Sequence, residues 1–416
     1  MGSTVLFFMY FLLLIVDGVF DLAFVYYFIA IILVIVDAFL FHGKNIVLAN
    51  PFSCGKLPGL WSVFLFYNFL VTFICTIAYM SSYSNYGIKF IINPVFIFLI
   101  VLYFSRYLDW KLFFNIMRKF GVIIGIIGAI ETYTKQALFP TLEQWSRKME
   151  SRNGTELFRS YTIFAHPIVN GMFLLLLIIS FYFFPIRRKI YNYLVIGILF
   201  YCVLGTGSRS SWVSLIVILL LIMRDALKRI NKKVSNVHMI NKIYASAMIF
   251  AVAYIFKDTY MPIVTKAYVR LKTVFYLNSS DLSRTHRYGM AKMVIEYLKK
   301  DFFCLIFGKG AYYGLQFEKE HPLRDAWTII DNQYLTFVLC FGLIGLFIFI
   351  MSFLIPFLIS DKSNNNNLKL PSYELLLIAL ELFFFEGYQW KICNFLYICM
   401  LFAFSYYKRI NDLKTI

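Results

Sequence analysis

The stretch IYNYLVIGILFYCVLGTGSRSSWVSLIVILLLIM, residues 190–223, contains a single charged side chain, Arg209. Because one crossing of a bilayer takes about 20 residues, this stretch predicts two membrane-spanning helices that meet near Arg209. A cation at that depth costs about 3 kcal/mol on insertion scales and usually persists because it meets an anion or a water-filled cavity. The alternative is an arginine that extends to the interface and anchors a helix. We predict a functional role for Arg209.

Hydrophobic residues make up 61% of the 416-residue chain, aromatic residues 20% and charged residues 15%. A soluble protein of this composition would expose too much apolar surface, so we predict an all-α integral membrane protein with many spans. The net charge of +18 comes from basic residues in short loops between apolar runs, as in a charge-oriented membrane protein. We therefore expect membrane lipids, and no nucleic acid, as partners. The seven cysteines show no spacing typical of metal sites or disulfides.

Apolar runs predict a bundle of about twelve transmembrane helices. These predicted spans lie at 4–17, 20–41, 59–79, 91–104, 119–131, 166–184, 190–205, 208–223, 243–256, 330–355, 372–388 and 393–407. The basic clusters 187–189, 224–242 and 408–409 all fall on one side, which the positive-inside rule assigns to the cytoplasm together with both termini. A count of about eleven also fits, with the first pair of spans as one broken hairpin.

Two long connections then lie outside the membrane, at 132–165 and 257–331, within a single transmembrane domain that comprises residues 1–416. The segment 284–300 of the longer connection has helical spacing of its apolar residues. Its predicted apolar face consists of Tyr288, Ala291, Met293, Val294, Ile295 and Leu298. We predict an amphipathic helix that lies on the membrane surface or caps a cavity.

Three polar clusters fall on this outer side. They are Arg209 with Ser208 and Ser210; Arg159 and His166 at the start of the sixth span; and Arg284, Arg287, Gly308, Gly310, His321, Asp331, Asn332 and Tyr334 in and after the long loop. Guanidinium groups bind phosphate through two parallel hydrogen bonds and stay charged. The set therefore favours recognition of a lipid-linked phosphate or pyrophosphate, and its carboxylates and histidines show no metal-ligand spacing.

Each piece also has a structural interpretation. Gly308 and Gly310 can simply form a turn, His166 can cap a helix, and His321 can be an ordinary loop histidine. Asp331 and Asn332 are residue types that favour the N-cap position of a helix. Arginines of an amphipathic helix, such as Arg284 and Arg287, can bind lipid phosphates.

In combination, the motifs resemble those of the bacterial O-antigen polymerase and O-antigen ligase superfamily over residues 155–350. The matching segments, in chain order, are Arg159…Phe164-Ala165-His166-Pro167…Asn170-Gly171, Thr206-Gly207-Ser208-Arg209-Ser210-Ser211, Ser283-Arg284…Tyr288, Phe307-Gly308-Lys309-Gly310 and Asp331-Asn332-Gln333-Tyr334-Leu335. The first five spans carry no matching motif. The resemblance implies a membrane-embedded, metal-independent glycosyltransferase of the GT-C type, without a cofactor. Its donor would be a glycan linked to undecaprenyl pyrophosphate, on the outer face of the cytoplasmic membrane.

The resemblance also implies roles for individual residues. Arg209 would hold the donor pyrophosphate together with Arg159 and Arg287, while Arg284 would act on the same charge or on the sugar. Asp331 or His321 would be the catalytic base. Ligases of the family commonly have a His-Asn pair where this chain has Asp331-Asn332, and this departure favours a polymerase. Supporting positions would be Ser208, Ser210, His166, Gly308, Gly310, Asn332 and Tyr334.

We therefore expect a polymerase of lipid-linked repeat units, whose partners are the undecaprenyl-pyrophosphate-linked donor and acceptor. A flippase and a chain-length regulator are candidate protein partners. The alternative within the class is a ligase that moves the finished glycan to a final acceptor. The alternative from another class is a flippase, but transporters typically have related halves and ionisable residues deep within several spans. Here the polar clusters concentrate at the outer side.

The topology can be tested by cysteine labelling in intact cells. An engineered cysteine at Asn278 should react with a membrane-impermeant maleimide, whereas one at Asn365 should react only after the cells are permeabilised. Protection at Asn278 together with labelling at Asn365 would overturn the predicted orientation.

Overall fold

The computed structural model describes residues 1–20, 22, 24–42, 51–79, 84–138, 158–164, 166–230, 261, 265, 282–321, 330–363, 365–385, 387 and 390–414. Within these ranges the chain forms helices and short connections, with no β-strand. The helices are α1 (Gly2–Phe20), α2 (Phe24–Phe41), α3 (Pro51–Cys54), α4 (Lys56–Tyr79), α5 (Ser84–Ser105), α6 (Trp110–Thr134), α7 (Pro167–Phe183), α8 (Lys189–Gly205), α9 (Arg209–Ile230), α10 (Leu282–Lys300), α11 (Phe302–Phe307), α12 (Tyr313–Glu320), α13 (Gln333–Lys362), α14 (Asn366–Phe383) and α15 (Lys391–Lys414).

Most of the predicted spans coincide with these helices. Among the described residues, five helices are long and apolar enough to cross a membrane, and shorter apolar helices accompany them. This composition and length identify an integral membrane protein of the all-α class. The predicted span 243–256 lies outside the described residues, so the count of twelve stays a prediction, as does the likeness to the GT-C type.

Several helices extend beyond the predicted spans, and the start of α6 differs most. The fifth predicted span begins at residue 119, but α6 already begins at Trp110. The side chain of Asp109 caps this start, because its Oδ1 accepts a hydrogen bond from the backbone N–H of Leu112 at 3.1 Å. A cap satisfies a backbone donor that the first helical turn leaves open, and so it stabilises a helix start that hydropathy alone does not reveal.

Polar contacts join the helix ends into two groups. At one end Arg224 pairs with Asp361 at 2.6 Å, and Lys369 pairs with Asp225. At the same end Asn365 donates to Asn411 at 3.2 Å. At the other end Lys391 pairs with Asp17 at 2.7 Å, and the segment 158–164 contacts the ends of α6 and α8. The grouping agrees with the predicted alternation of connections; which group faces the cytoplasm stays a prediction.

Helix α13 is broken at Gly342, which has φ 65° and ψ −174°. The break lies about 14 Å along the helix from its start at Gln333. The backbone N–H groups of Lys309 and Gly310 donate to the carbonyls of Leu339 and Cys340 at 2.9 and 2.8 Å. The connection between α11 and α12 therefore satisfies carbonyl groups next to the break.

Close backbone packing at this junction requires glycine on both sides. A Cβ atom on Gly342 would lie 2.1 Å from the carbonyl oxygen of Ile306, and one on Gly308 would lie 2.3 Å from that of Cys340. The hydroxyl of Tyr67 donates to the carbonyls of Phe307 and Phe341, at 3.0 and 3.1 Å, and so ties α4 to the same point.

The amphipathic helix of the long connection is present as α10, but its buried face differs from the prediction. Met290, Val294 and Leu298 are buried, whereas Tyr288 is 71% exposed and Ile295 is 46% exposed. The buried residues pack with Cys304 and with residues of α12 and α13 in a small hydrophobic core. Spacing of i, i+4 and i+8 suits packing along one helix, so α10 lies on the α11–α13 unit.

The junction at Gly342 makes a quantitative prediction. Gly342→Ala should lower the free energy of unfolding by at least about 1–3 kcal/mol, because a side chain disfavours this backbone conformation and its methyl group would overlap Ile306. Gly197→Ala is the control, because a Cβ there meets nothing within 4 Å and alanine favours a helix. Thermal unfolding in detergent measures both. Equal melting temperatures for the two variants would contradict the account.

Candidate functional site

The buried carboxylate of Glu131 organises the segment that precedes α7. Its Oε2 accepts hydrogen bonds from the Ser160 hydroxyl at 2.9 Å and from the Thr162 N–H at 3.0 Å, and its Oε1 accepts one from Leu138 N–H at 3.3 Å. Asn170 adds to this framework, since its amide donates to the Ser160 carbonyl at 3.2 Å and accepts from the Thr162 hydroxyl at 3.0 Å. Residues 160–162 are thereby fixed against α6 and α7.

Arg159 lies against the turn that leads into α9. Its Nε donates to the carbonyl of Thr206 at 3.1 Å. The turn itself requires Gly207, which has φ 60°, and Arg209 is the first residue of the helix that follows. The two predicted phosphate-binding residues Arg159 and Arg209 are therefore placed at one turn, although they are distant in sequence.

Serine hydroxyls fill the first turn of α9. The Ser208 hydroxyl accepts from the Ser211 N–H at 3.4 Å, as an N-cap residue does. The hydroxyls of Ser208 and Ser210 are 2.8 Å apart, and both side chains are buried. These contacts stabilise the first turn of α9, which begins at Arg209.

His166 caps α7 and lies within electrostatic reach of two arginines. Its Nδ1 accepts a hydrogen bond from the Ile168 N–H at 3.2 Å, and its ring stacks on Phe385 with centroids 5.2 Å apart. A ring nitrogen that accepts carries no proton, so the neutral ring has its proton on Nε2. The charges of Arg159 and Arg287 are close enough to act on this ring, which brings the segment 158–166 and helix α10 to one site.

Arg287 in turn holds Asp331. Its Nε and Nη2 both donate to Oδ2 of Asp331, at 2.9 and 2.7 Å, and both side chains are about one third exposed. Asp331 has φ 54°, and Asn332 after it caps α13 by accepting from the N–H groups of Tyr334 and Leu335 at 3.0 and 3.1 Å. Asn332 is therefore the N-cap residue of α13, whereas the carboxylate of Asp331 accepts the hydrogen bonds of Arg287.

Arg284 lies one helical turn before Arg287 in α10. Residues three apart lie on the same side of a helix. The side chain of Arg284 itself lies outside the described residues. Tyr334 is close to Asp331 in sequence, and its hydroxyl donates to the Ala379 carbonyl of α14 at 2.9 Å.

Other predicted residues lie elsewhere. Gly308 and Gly310 contact the break in α13 rather than the arginines. His321 packs on Phe317, with centroids 4.3 Å apart, and its Nδ1 is 3.1 Å from the Phe317 carbonyl. These contacts place His321 in the α10–α12 core, without a described contact to Arg287 or Asp331.

Next to the glycine turn, Lys309 forms an ion pair with Asp301 at 2.7 Å and contacts the rings of Tyr297 and Tyr313. Burial acts to raise the pKa of Asp301, but the hydrogen bonds from Lys309, from the Cys304 N–H and from Tyr297, together with the charge of Lys309, outweigh burial and hold the pKa of this carboxyl below its usual value. The pair thus stabilises the connection between α10 and α12.

The structure also reveals a residue that the motif search missed. Glu381, 1% exposed, lies near the end of α14, and its carboxyl group faces the hydroxyls of Ser210, Ser214 and Ser211. A signal for it was present in the sequence, because Glu381 is an ionisable residue within the predicted span 372–388, and such residues often mark functional sites. Only the structure shows that it faces the first turns of α9.

A comparison with protein families matches residues 193–350 to the Wzy_C family, described as O-antigen ligase. The matched segment extends from α8 to the second half of α13 and so contains Arg209, Arg287 and Asp331. Searches of curated proteins and of solved structures found no match.

The framework around Glu131 can be tested by stability. Glu131→Ala leaves the Ser160 hydroxyl and the Thr162 N–H without their acceptor, at about 1–3 kcal/mol for each buried donor, and Glu131→Gln should cost less. Glu296→Ala is the control, because Glu296 is 57% exposed and 3.8 Å from Lys292, a pair worth about 0.5 kcal/mol or less. Thermal unfolding in detergent should rank them in this order. Equal stability of Glu131→Ala and Glu296→Ala would refute the anchoring role.

Proposed function

Since residues 193–350 match the Wzy_C family, described as O-antigen ligase, we propose that this chain polymerises glycan repeat units linked to undecaprenyl pyrophosphate. One observation carries the proposal. Arg159 contacts the turn that begins the helix of Arg209, and Arg159 and Arg287 both act on His166. Guanidinium groups from three separate segments thus lie around one end of the bundle, where a lipid-linked anion would meet them.

The arginines would serve the leaving group. A departing pyrophosphate gains negative charge, and fixed cations stabilise that charge most effectively where little water competes. Arg209 is also the first residue of α9, where the helix dipole favours an anion. Arg284, one turn before Arg287, would reach the same phosphate or the sugar.

Asp331 is the base that the geometry favours. Arg287 binds Oδ2 of Asp331 through two hydrogen bonds. Within the described chain, Oδ1 has no hydrogen bond and is oriented by the same pair. We assign to Oδ1 the acceptance of the proton from the attacking sugar hydroxyl. His321, whose contacts lie in the α10–α12 core, is the second candidate.

The reaction then balances simply. The acceptor hydroxyl oxygen forms a bond with the anomeric carbon of the donor glycan, and its proton moves to Asp331. The bond between the anomeric carbon and the pyrophosphate oxygen breaks, and undecaprenyl pyrophosphate leaves with the electron pair. Positioning the two reactants and stabilising the leaving group supply the rate enhancement, so no metal and no cofactor enters the proposal.

A ligase is the second candidate, and the description of the matched family as O-antigen ligase supports it. The Asp331-Asn332 pair favours the polymerase, because family ligases commonly have histidine at the first of these positions. In either case the enzyme would act at the outer face of the cytoplasmic membrane of a bacterium. A flippase would deliver its substrate, and a chain-length regulator is a candidate partner.

The role of Arg209 is tested by in-membrane conversion of a lipid-linked repeat unit into longer glycans. Arg209→Ala should abolish chain extension, because losing its charge-assisted contact to a pyrophosphate that is shielded from water would cost about 2–5 kcal/mol, roughly 30-fold to several-thousand-fold in rate. Arg209→Lys should largely fail as well, since a point charge cannot reproduce the two parallel hydrogen bonds of arginine.

Arg188→Ala is the matched control, because Arg188 is exposed and contacts Tyr191 at the opposite end of the bundle. It should retain the wild-type ladder, and a chelator should leave that ladder unchanged. A full ladder from Arg209→Ala would refute the assigned role. Single repeats that accumulate in that variant indicate a polymerase, whereas long untransferred lipid-linked chains indicate a ligase.

A further inference from the structure

Glu381 is a fully buried carboxyl group near the proposed site. Its carboxyl group is fully buried in α14, and in the described part of the chain neither of its oxygens has a well-directed hydrogen bond. Burying a carboxyl group without strong partners is unfavourable in protein and worse in a membrane. A leucine would fill the same space at less cost, so the carboxyl group needs an explanation beyond packing.

Among the described residues, the hydroxyl groups that face Glu381 belong to one helix, α9. They are the hydroxyls of Ser210, Ser214 and Ser211, and all three serines are buried. Gly171 of α7 makes room for this face, because a Cβ there would lie 2.2 Å from the Ser211 hydroxyl oxygen. Helices α7, α9 and α14 thus pack around a carboxyl group and three hydroxyls.

This polar contact lies directly next to Arg209. Arg209 begins α9, and the serines that face Glu381 occupy the first two turns of the same helix. The contact between Glu381 and these serines sets the direction of the first turn of α9. It thereby sets the direction in which the Arg209 guanidinium group extends. Ser208 and Ser210 cap and fill the same turn.

The end of α14 also reaches the second half of the site. The Tyr334 hydroxyl donates to the carbonyl of Ala379 at 2.9 Å, and Tyr334 follows Asp331 at the start of α13. Ala379 and Glu381 are two residues apart in α14. One turn of this helix therefore contacts both Tyr334, which follows the proposed base Asp331, and α9, which carries the proposed pyrophosphate ligand.

We propose that Glu381 is a positioning residue for glycosyl transfer. Its carboxyl group packs against the serine face of α9 and thereby fixes Arg209 relative to Asp331, across the end of α14. The inference rests on the proposed function for its catalytic consequence, but the positioning of residue 209 can be measured without any substrate.

The same helix supplies a matched control. Glu374 is also fully buried in α14, and its Oε2 likewise has no hydrogen-bond partner among the described residues. No serine is among the groups described as acting on its carboxyl group. Glu374→Leu and Glu381→Leu therefore each remove a buried carboxyl group from α14, and only the second removes one that faces the serines of α9.

The first experiment measures turnover per folded molecule. Glu381→Leu should lower kcat on the order of 100-fold, as expected when a reacting group is displaced by about 1 Å. Glu374→Leu should keep the wild-type kcat. Glu381→Gln, which keeps a side chain that hydrogen-bonds hydroxyls, should restore most of the activity. Ser214→Ala should reduce activity in the wild-type background and add nothing in the Glu381→Leu background.

The second experiment needs no substrate. An engineered cysteine at Arg209, in a Cys54→Ser background, is labelled with a membrane-impermeant maleimide in intact cells. The other native cysteines are buried. Adding Glu381→Leu should change the labelling rate several-fold, whereas adding Glu374→Leu should leave it unchanged.

The outcomes separate the two claims. If the wild-type protein transfers no glycan but Glu381→Leu still changes the labelling at 209, the proposed function fails and the positioning role stands. If transfer occurs and Glu381→Leu has wild-type kcat and labelling, the positioning role fails alone. A Glu381→Leu protein with a lower melting temperature but unchanged kcat per folded molecule also overturns it, because that result describes packing.

Discussion

The carbonyl groups of Leu339 and Cys340 would lack partners where α13 breaks at Gly342, and a bilayer interior supplies no water to satisfy them. The backbone N–H groups of Lys309 and Gly310 donate the hydrogen bonds that these carbonyl groups need. Because these bonds are backbone to backbone, they fix the connection between α11 and α12 without depending on any side chain. Helix α10 packs on this unit through Met290, Val294 and Leu298. The position of Arg287 therefore depends on a broken helix some distance from it.

Buried acidic groups have a corresponding role on the other half of the site. Glu131 accepts three hydrogen bonds and holds the segment that carries Arg159. Glu381 faces the serines of the helix that carries Arg209. In each case a buried carboxyl group of one helix supports an arginine in a neighbouring segment. A rigid support of this kind suits an enzyme, because a cation stabilises a transition state only when it is already oriented toward it.

The neutral ring of His166 connects these halves. It caps α7, stacks on Phe385 near the end of α14, and lies within the influence of Arg159 and Arg287. A cationic ring there would add a positive charge to those already present and lose its capping acceptor. The arrangement instead leaves the arginines as the positive charges of the cluster, which matches a site for a strongly anionic group.

The sequence by itself determined the class of the protein, most span positions and the motifs around Arg159, Arg209 and Asp331, because bilayer thickness and charge placement act on the chain locally. The family match to residues 193–350 covers the motifs around Arg209 and Asp331. Tertiary structure decided the rest. The buried face of α10 depends on which side chains of α11 and α13 pack against it. Gly308 proved to be a residue of close backbone packing, because the backbone at Cys340 approaches it. The sequence shows Glu381 as an ionisable residue in an apolar run, but only the packing of α14 against α9 brings serines to it. Contacts between helices that are distant in sequence follow from the fold and not from local spacing.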